Sequence, residues 1–138
     1  MTMFLETILA DAVQAGEETR KPGSAIAGKW RNRLGSTMEL TVDGNHRIDG
    51  TFHTGVGVPD KKPAFHVVGF AEGDAVTFCV DFGSLGSVAA WAGHHVVDGD
   101  DERLVSLWHL ARPVRAHHHQ ADVWAALLAG GDEFLRLD

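Results

Sequence analysis

Residues 87–111 read SVAAWAGHHVVDGDDERLVSLWHLA, and this stretch is the clearest evidence for the fold class. Side chains of two kinds alternate on both sides of a DGDD cluster, which is the pattern of two strands joined by a tight turn. Because the period is two, Trp91 shares a face of its strand with Ser87. By the same rule Trp108 shares a face with Ser106. The stretch therefore predicts an antiparallel hairpin whose inner face carries both indole rings and hydroxyl groups.

The same alternation recurs from Gly28 onward, between clusters of Gly, Asp and Asn. The connections are short enough to join antiparallel neighbours in succession, so the sequence predicts an all-β fold, an eight-stranded antiparallel up-and-down β-barrel. A barrel of eight strands has room for one small ligand. The predicted strands span residues 28–33, 36–42, 47–56, 64–70, 75–82, 87–97, 102–112 and 122–137.

The first 24 residues follow a different pattern. Apolar side chains such as Phe4, Ile8 and Ala12 recur at helical spacing, which predicts a short amphipathic helix over residues 2–16 and then a polar linker. We therefore divide the chain into an N-terminal helical extension (1–24) and the barrel (25–138). No positive charge precedes the apolar stretch, so it does not resemble a signal peptide. The sequence as it stands indicates a cytoplasmic protein, and a trimmed signal would indicate a secreted one.

Composition narrows the classes of partner. A chain of 138 residues is expected to form one domain. It has 12 Lys and Arg against 19 Asp and Glu, a net charge of −7, which argues against a nucleic-acid partner because phosphate binding needs clustered positive charge. No apolar run approaches the ~20 residues of a membrane span, so we expect no membrane partner. The single cysteine, Cys79, excludes an internal disulfide.

The inferred barrel interior is unusually polar. A plain barrel core would consist mainly of branched aliphatic side chains, whereas here the inward rows carry hydroxyls and an amide, from Asn32, Ser36, Thr54, Ser87 and Ser106. Buried polar groups need hydrogen-bond partners. Either these groups pair with one another and with trapped water, or a ligand pairs with them.

The outward rows are apolar along three neighbouring strands. A protein that remains a monomer seldom exposes such a patch, so we expect subunits to pack on it. Its predicted members are Val88, Ala90, Ala92, Val105, Leu107, Ala125 and Leu127.

Sequence signals for catalysis and for metal binding are weak. Ser36 and Ser87 lack the G-x-S-x-G context of a serine nucleophile, and no CxxC or HExxH pattern is present. We therefore predict a non-enzyme with no catalytic residue, no metal site and no cofactor. The triplet His117–His119 falls in a predicted loop, and whether it binds a metal stays open.

Five motifs, in order, resemble the avidin/streptavidin family of biotin-binding proteins. They are GKWRNRLGS (28–36), GTFHTGVG (50–57), SVAAWAG (87–93), LWHLA (107–111) and DVWAALLAGGDEF (122–134). Together they account for all four tryptophans and span nearly the whole barrel. The resemblance implies a barrel that binds biotin as a ligand.

The resemblance also implies a role for each polar position. Asn32 and Ser36 would donate hydrogen bonds to the ureido oxygen of biotin. Thr54 and the carboxylate of Asp132 would accept from its two N–H groups. The positions that the resemblance places around the ligand are Asn32, Ser36, Phe52, Thr54, Val56, Gly57, Val58, Phe82, Ser87, Ala89, Trp91, Trp108, Leu110, Trp124 and Asp132.

The remaining positions would hold the rings and the carboxylate end of the ligand. Three rings would form the wall, with Leu110 beneath them: Phe82, Trp91 and Trp108. Ser87 and the backbone near Gly57 would meet the carboxylate, with the loop 57–64 as a lid. Trp124 would reach into the site of a neighbouring subunit, as in the tetrameric members of the family, so a homotetramer is expected and a homodimer stays open.

Three positions depart from the family pattern. The family has a tyrosine at Phe52, a tryptophan at Phe82 and a threonine at Ala89. Since two hydrogen-bond donors are missing, biotin affinity is expected to fall by about 10²–10⁴-fold if nothing compensates. A lipocalin-like carrier of another small amphipathic ligand is the alternative, and a structural oligomer whose cavity holds water is a third.

Overall fold

The protein is described here by a computed structural model, which covers residues 4–14, 22–55, 63–114 and 120–137. Each strand of a closed barrel pairs antiparallel with the next, and the last pairs with the first. The predicted eight-stranded up-and-down barrel is confirmed. The strands are β1 (Gly28–Asn32), β2 (Thr37–Val42), β3 (Arg47–His53), β4 (Ala64–Glu72), β5 (Ala75–Asp81), β6 (Val88–Asp98), β7 (Asp101–Ala111) and β8 (Leu127–Arg136).

The helical elements are short. Helix α1 (Leu5–Gln14) falls within the predicted N-terminal helix, whose first and last residues lie outside the described part of the chain. Its large apolar side chains are about half or more exposed. Neither described helix is long and apolar enough to cross a lipid bilayer. Helix α2 (Gln120–Ala125) precedes β8, and 3-10 turns span Ser24–Ile26 and Gly83–Leu85.

The predicted last strand, 122–137, was wrong over its first residues. Helix α2 occupies that segment, so Trp124 and Ala125 lie on a helix and only Leu127 of the predicted apolar exterior there lies on β8. Two alanines follow the tryptophan, and alanine is the strongest helix former. Asp122 in the first turn also complements the positive N-terminal end of the helix.

The β6–β7 hairpin turns where the sequence predicts. Asp98 pairs with Asp101, which leaves a loop of two residues. Gly99, the first of them, has φ of 62°, and a positive φ at this position suits the tight turns that match the twist of the flanking strands. The hairpin sets Trp91 directly opposite Trp108.

One end of the barrel is closed around Trp30, which has no exposed surface. Its indole N–H donates to the Ile26 carbonyl at 2.9 Å. The Arg136 guanidinium lies 4.3 Å from the ring centroid, a cation–π contact. Arg136 pairs with Glu102 at 2.8 Å, and His95 Nε2 lies 2.7 Å from the same carboxylate oxygen. This cluster fixes the closed end and leaves the opposite end for a ligand.

The closed-end cluster predicts an acid-sensitive stability. The Arg136 side chain, and after it His95, lowers the pKa of Glu102 below its ordinary value of 4.5. A carboxyl group whose pKa is lower in the folded than in the unfolded state stabilises the fold above the unfolded pKa. That stability is lost as the pH falls through the folded pKa.

Glu102→Gln should therefore lower the thermal unfolding midpoint at neutral pH. It should also flatten the decline in stability that we expect for the wild type below about pH 4.5. Calorimetric scans across pH measure both effects, with Glu39→Gln on the exposed face of β2 as the matched control. An acid decline in Glu102→Gln as steep as that of the wild type would contradict this assignment.

Candidate functional site

A polar cluster lies where β1 and β8 meet. Asn32, the last residue of β1, donates from Nδ2 to the Asp132 carboxylate at 3.2 Å. Asn32 Oδ1 accepts the Ser36 backbone N–H at 2.9 Å. The β7–β8 register sets Ser106 opposite Asp132, and the Ser106 hydroxyl donates to the Asp132 carbonyl at 2.9 Å. Barrel closure thus joins groups that are 100 positions apart in the sequence.

Ser36 and Thr54 lie beside this cluster on the two neighbouring connections. Ser36 is buried, and its hydroxyl oxygen accepts the Gly55 backbone N–H at 2.9 Å. The hydroxyl hydrogen of Ser36 therefore remains available for donation. Thr54 directly follows β3 and is half-buried. Asn32 and Asp132 are likewise half-buried, so solvent reaches part of the cluster.

Aromatic rings form one wall of the interior. The Phe52 ring lies 5.7 Å from Phe82 and 5.6 Å from Trp91, measured between centroids. Phe78 stacks on Trp91 at 5.0 Å with 13° between the planes. Such offset and edge contacts are favourable for aromatic pairs, and they hold the Trp91 indole in place. Its buried N–H has no acceptor among the residues that the structure describes.

Trp108 extends this wall on β7. It lies opposite Gly130, where an added Cβ would come within 2.6 Å of the indole. A glycine at this position is therefore needed for the indole to lie across β8. Ala89 and Leu110 form the next inward pair, of which Ala89 is buried and Leu110 half-buried.

Ser87 lies at the open end of the barrel, directly before β6. Its carbonyl accepts the Phe82 N–H at 3.0 Å across the turn, and Ser87 is half-buried. Ser87 thus lies at the mouth of the cavity, beyond Ala89 on the inward row.

Trp124 lies outside its own barrel and is 66% exposed. It borders an apolar groove of about 640 Å³ on the outer face of β5 to β8, together with Cys79, Val88, Leu127 and Ala129. The predicted apolar exterior on β6 and β7 is likewise exposed.

Several predicted features fall outside the described residues. Val56, Gly57 and Val58 are among them, together with most of the predicted lid and the His117–His119 triplet. In the ranges 4–14, 22–55, 63–114 and 120–137, no three His, Cys, Asp or Glu side chains are grouped closely enough to hold a metal ion.

Two rings behind the wall were not among the predicted site residues. Phe78 stacks on Trp91, and Phe65 lies 5.1 Å from Phe82. The sequence placed Phe78 on the inward face of its strand, but alternation does not say which ring it meets. Phe65 alternates with Val67 in the same way, which is the signal that could have found it.

Comparison with known proteins identifies related chains. The Avidin family profile matches residues 21–137. Afifavidin from Afifella pfennigii is 27% identical over 92 residues, which is 63% of this chain and 58% of Afifavidin. The matched part of the chain thus spans little more than half of that relative.

Three solved structures share the fold. The chicken biotin binding protein has a TM-score of 0.70 at 25% identity, covering 84% of this chain and 98% of that one. Xenavidin has a TM-score of 0.69 at 25% identity, covering 84% and 100%. The rhizavidin–biotin complex has a TM-score of 0.66 at 22% identity, covering 80% and 99%, and at that identity it shows the fold alone.

Proposed function

The chain belongs to the avidin family, and we propose that it binds biotin in the barrel interior without catalysing a reaction. One observation carries the proposal. Asn32, which bonds Asp132, pairs in register with the buried Phe134, and the Phe134 ring lies 6.2 Å from Phe78, which stacks on Trp91. A ureido group on an apolar bicyclic ring needs this combination, with donors and acceptors at one end and flat apolar surface around it. Among the structural neighbours, rhizavidin has been solved with biotin.

The polar cluster is suited to a ureido group because it can both donate and accept hydrogen bonds. The Asn32 amide and the Ser36 hydroxyl donate to the ureido oxygen, and Thr54 and Asp132 accept from the two N–H groups. In the ligand-free chain Asn32 Nδ2 is engaged by Asp132, at a rather long 3.2 Å. In the complex, Asn32 and Asp132 each form a hydrogen bond with the ligand in place of the one between them, so neither half-buried group loses its partner. Such preorganised dipoles act strongly in a cavity with little water.

The aromatic wall holds the apolar part of the ligand. Phe82, Trp91 and Trp108 lie around the bicyclic ring and the acyl chain, and burial of that surface contributes about 25 cal/mol for each Å². Phe52 adds apolar contact but no hydroxyl donor, and Ala89 adds none either. We therefore expect biotin to bind less tightly than it does where both hydroxyls are present.

Calorimetric titration of biotin tests the proposal. We expect saturable heat at micromolar protein with one site per chain, and absence of heat and of saturation would overturn the proposal. Displacement of a biotin-mimicking dye provides a second readout. If biotin binding is detected in neither experiment, two alternatives remain. The absence of hydroxyls at Phe52 and Ala89 would favour a lipocalin-like carrier over an oligomer that holds only water. Native mass spectrometry of extracted ligands distinguishes the two.

We expect a homotetramer in which Trp124 of one subunit completes the site of a neighbour. The exposed indole and the apolar groove beside it favour this role, because no residue within 4–14, 22–55, 63–114 or 120–137 covers either of them. A homodimer that uses the same groove is the smaller alternative.

Trp124→Lys should weaken both assembly and binding, because it places a charge in the apolar contact and removes the ring that closes the site. We expect a smaller species in sedimentation and about a tenfold or greater loss of biotin affinity, as for other buried aromatic anchors. Leu85→Lys, at an exposed position of the 3-10 turn Gly83–Leu85, is the control for the added charge. An unchanged oligomer would contradict the interface role of Trp124.

A further inference from the structure

Arg112 has no assigned role, although it lies at the mouth of the barrel. It directly follows β7 and comes two residues after Leu110 of the inward row. Val88 pairs with Ala111, and continuing this register by one residue sets Ser87 opposite Arg112. Side chains at directly opposed positions have Cβ atoms about 5 Å apart. Ser87 and Arg112 also line the same cavity of about 360 Å³.

The Arg112 guanidinium has spare hydrogen-bonding capacity. Its Nη2 donates to the Ala125 carbonyl at 3.2 Å. A guanidinium has five N–H donors, so this contact, counted over the described part of the chain, leaves most of them for another acceptor. Among the described residues, Arg112 forms no ion pair with a carboxylate. A planar guanidinium with unused donors is suited to a carboxylate.

Two carboxylates lie near the same mouth. Asp81 lines the cavity that Ser87 and Arg112 share, and its Oδ1 accepts the Gly83 backbone N–H at 2.9 Å. Asp122 lines the adjoining hollow between Ser84 and Ala126, which Arg112 also borders. Among the described residues, neither carboxylate forms an ion pair with Arg112. Both therefore oppose the entry of an anion, whereas Arg112 favours it.

We propose that Arg112 pairs with the ionised carboxylate of the bound ligand and makes the site prefer free biotin to amide-linked biotin. The inference rests on the proposed function, in which the carboxylate end lies at Ser87. An amide at that position has no charge for Arg112 to pair with. The chain would then capture the free vitamin better than biotin joined to a protein lysine.

The test compares the binding of two ligands by the wild type and by one variant. Dissociation constants are measured for biotin and for biotin carboxamide, in the wild type and in Arg112→Gln. We expect the wild type to prefer the acid by about three- to tenfold, a modest factor because Arg112 is exposed to solvent. Arg112→Gln should lose most of this preference, because it lowers the affinity for biotin and leaves the affinity for biotin carboxamide unchanged. Added salt should reduce the wild-type preference, since it screens exposed charges.

Arg112→Lys and Arg31→Gln are the controls. The lysine variant keeps the charge and should keep part of the preference, whereas Arg31 lies on the outer face of β1 and its replacement should change nothing. An acid-to-amide ratio that is unchanged in Arg112→Gln would overturn the proposal. So would an equal loss for both ligands, since that would assign Arg112 to the support of α2. If neither ligand binds the wild type, the proposed function itself fails.

Discussion

Asp132→Ala is expected to weaken biotin binding by about 10- to 100-fold, which is the loss typical of one hydrogen bond to a charged group. The change removes the carboxylate that accepts a ureido N–H. It also removes the partner of Asn32, whose amide then lies in the interior without its 3.2 Å contact. Asn32→Ala should lower the biotin affinity by a comparable factor, because it removes the other member of the pair.

Titration calorimetry of Asp132→Ala measures this effect, and a thermal scan checks that the barrel remains folded. Asp100→Ala in the β6–β7 turn is the matched control, because that carboxylate is exposed and far from the polar cluster. Wild-type affinity in Asp132→Ala would remove this residue from the binding site.

Phe52→Tyr is expected to raise the affinity for biotin by about 10- to 100-fold, because it returns a hydroxyl donor to a wall that lacks one. The Phe52 ring is almost fully buried and lies against Phe82 and Trp91. Its orientation is therefore already set by packing, and the added hydroxyl needs little reorganisation. A slower dissociation rate should account for most of the gain.

Phe70→Tyr is the control for this gain, since Phe70 is 55% exposed on the outer face of β4. Stopped-flow chase of labelled biotin gives the dissociation rates of both variants. An affinity of Phe52→Tyr equal to or below that of the wild type would show that the missing hydroxyl does not limit binding in this chain.

Much of the fold follows from the sequence because alternation with period two is a property of each strand alone. The alternation predicts that Trp91 and Trp108 point inward, and both form part of the aromatic wall of the interior. Helix α2 was not predicted, because its six residues are too few to show a helical period. Its alanines then also fit an alternating pattern.

The contacts of the polar cluster could not be derived from strand patterns. Asn32 and Asp132 meet because β8 closes on β1, and their bond depends on the register of that closure. The closed-end cluster of His95, Glu102 and Arg136 likewise joins three different strands. The resemblance to the family implies candidate roles, whereas the distances on which those roles depend are set by how strands distant in the sequence pack together.

A crystal structure of the chain grown with biotin would test the proposed binding mode. We predict that the ureido oxygen lies within hydrogen-bond distance of Asn32 Nδ2 and the Ser36 hydroxyl, and that the two N–H groups face Thr54 and Asp132. The bicyclic ring would lie against Trp91. Biotin found elsewhere on the chain, or a barrel interior filled only by water at saturating biotin, would contradict the claim.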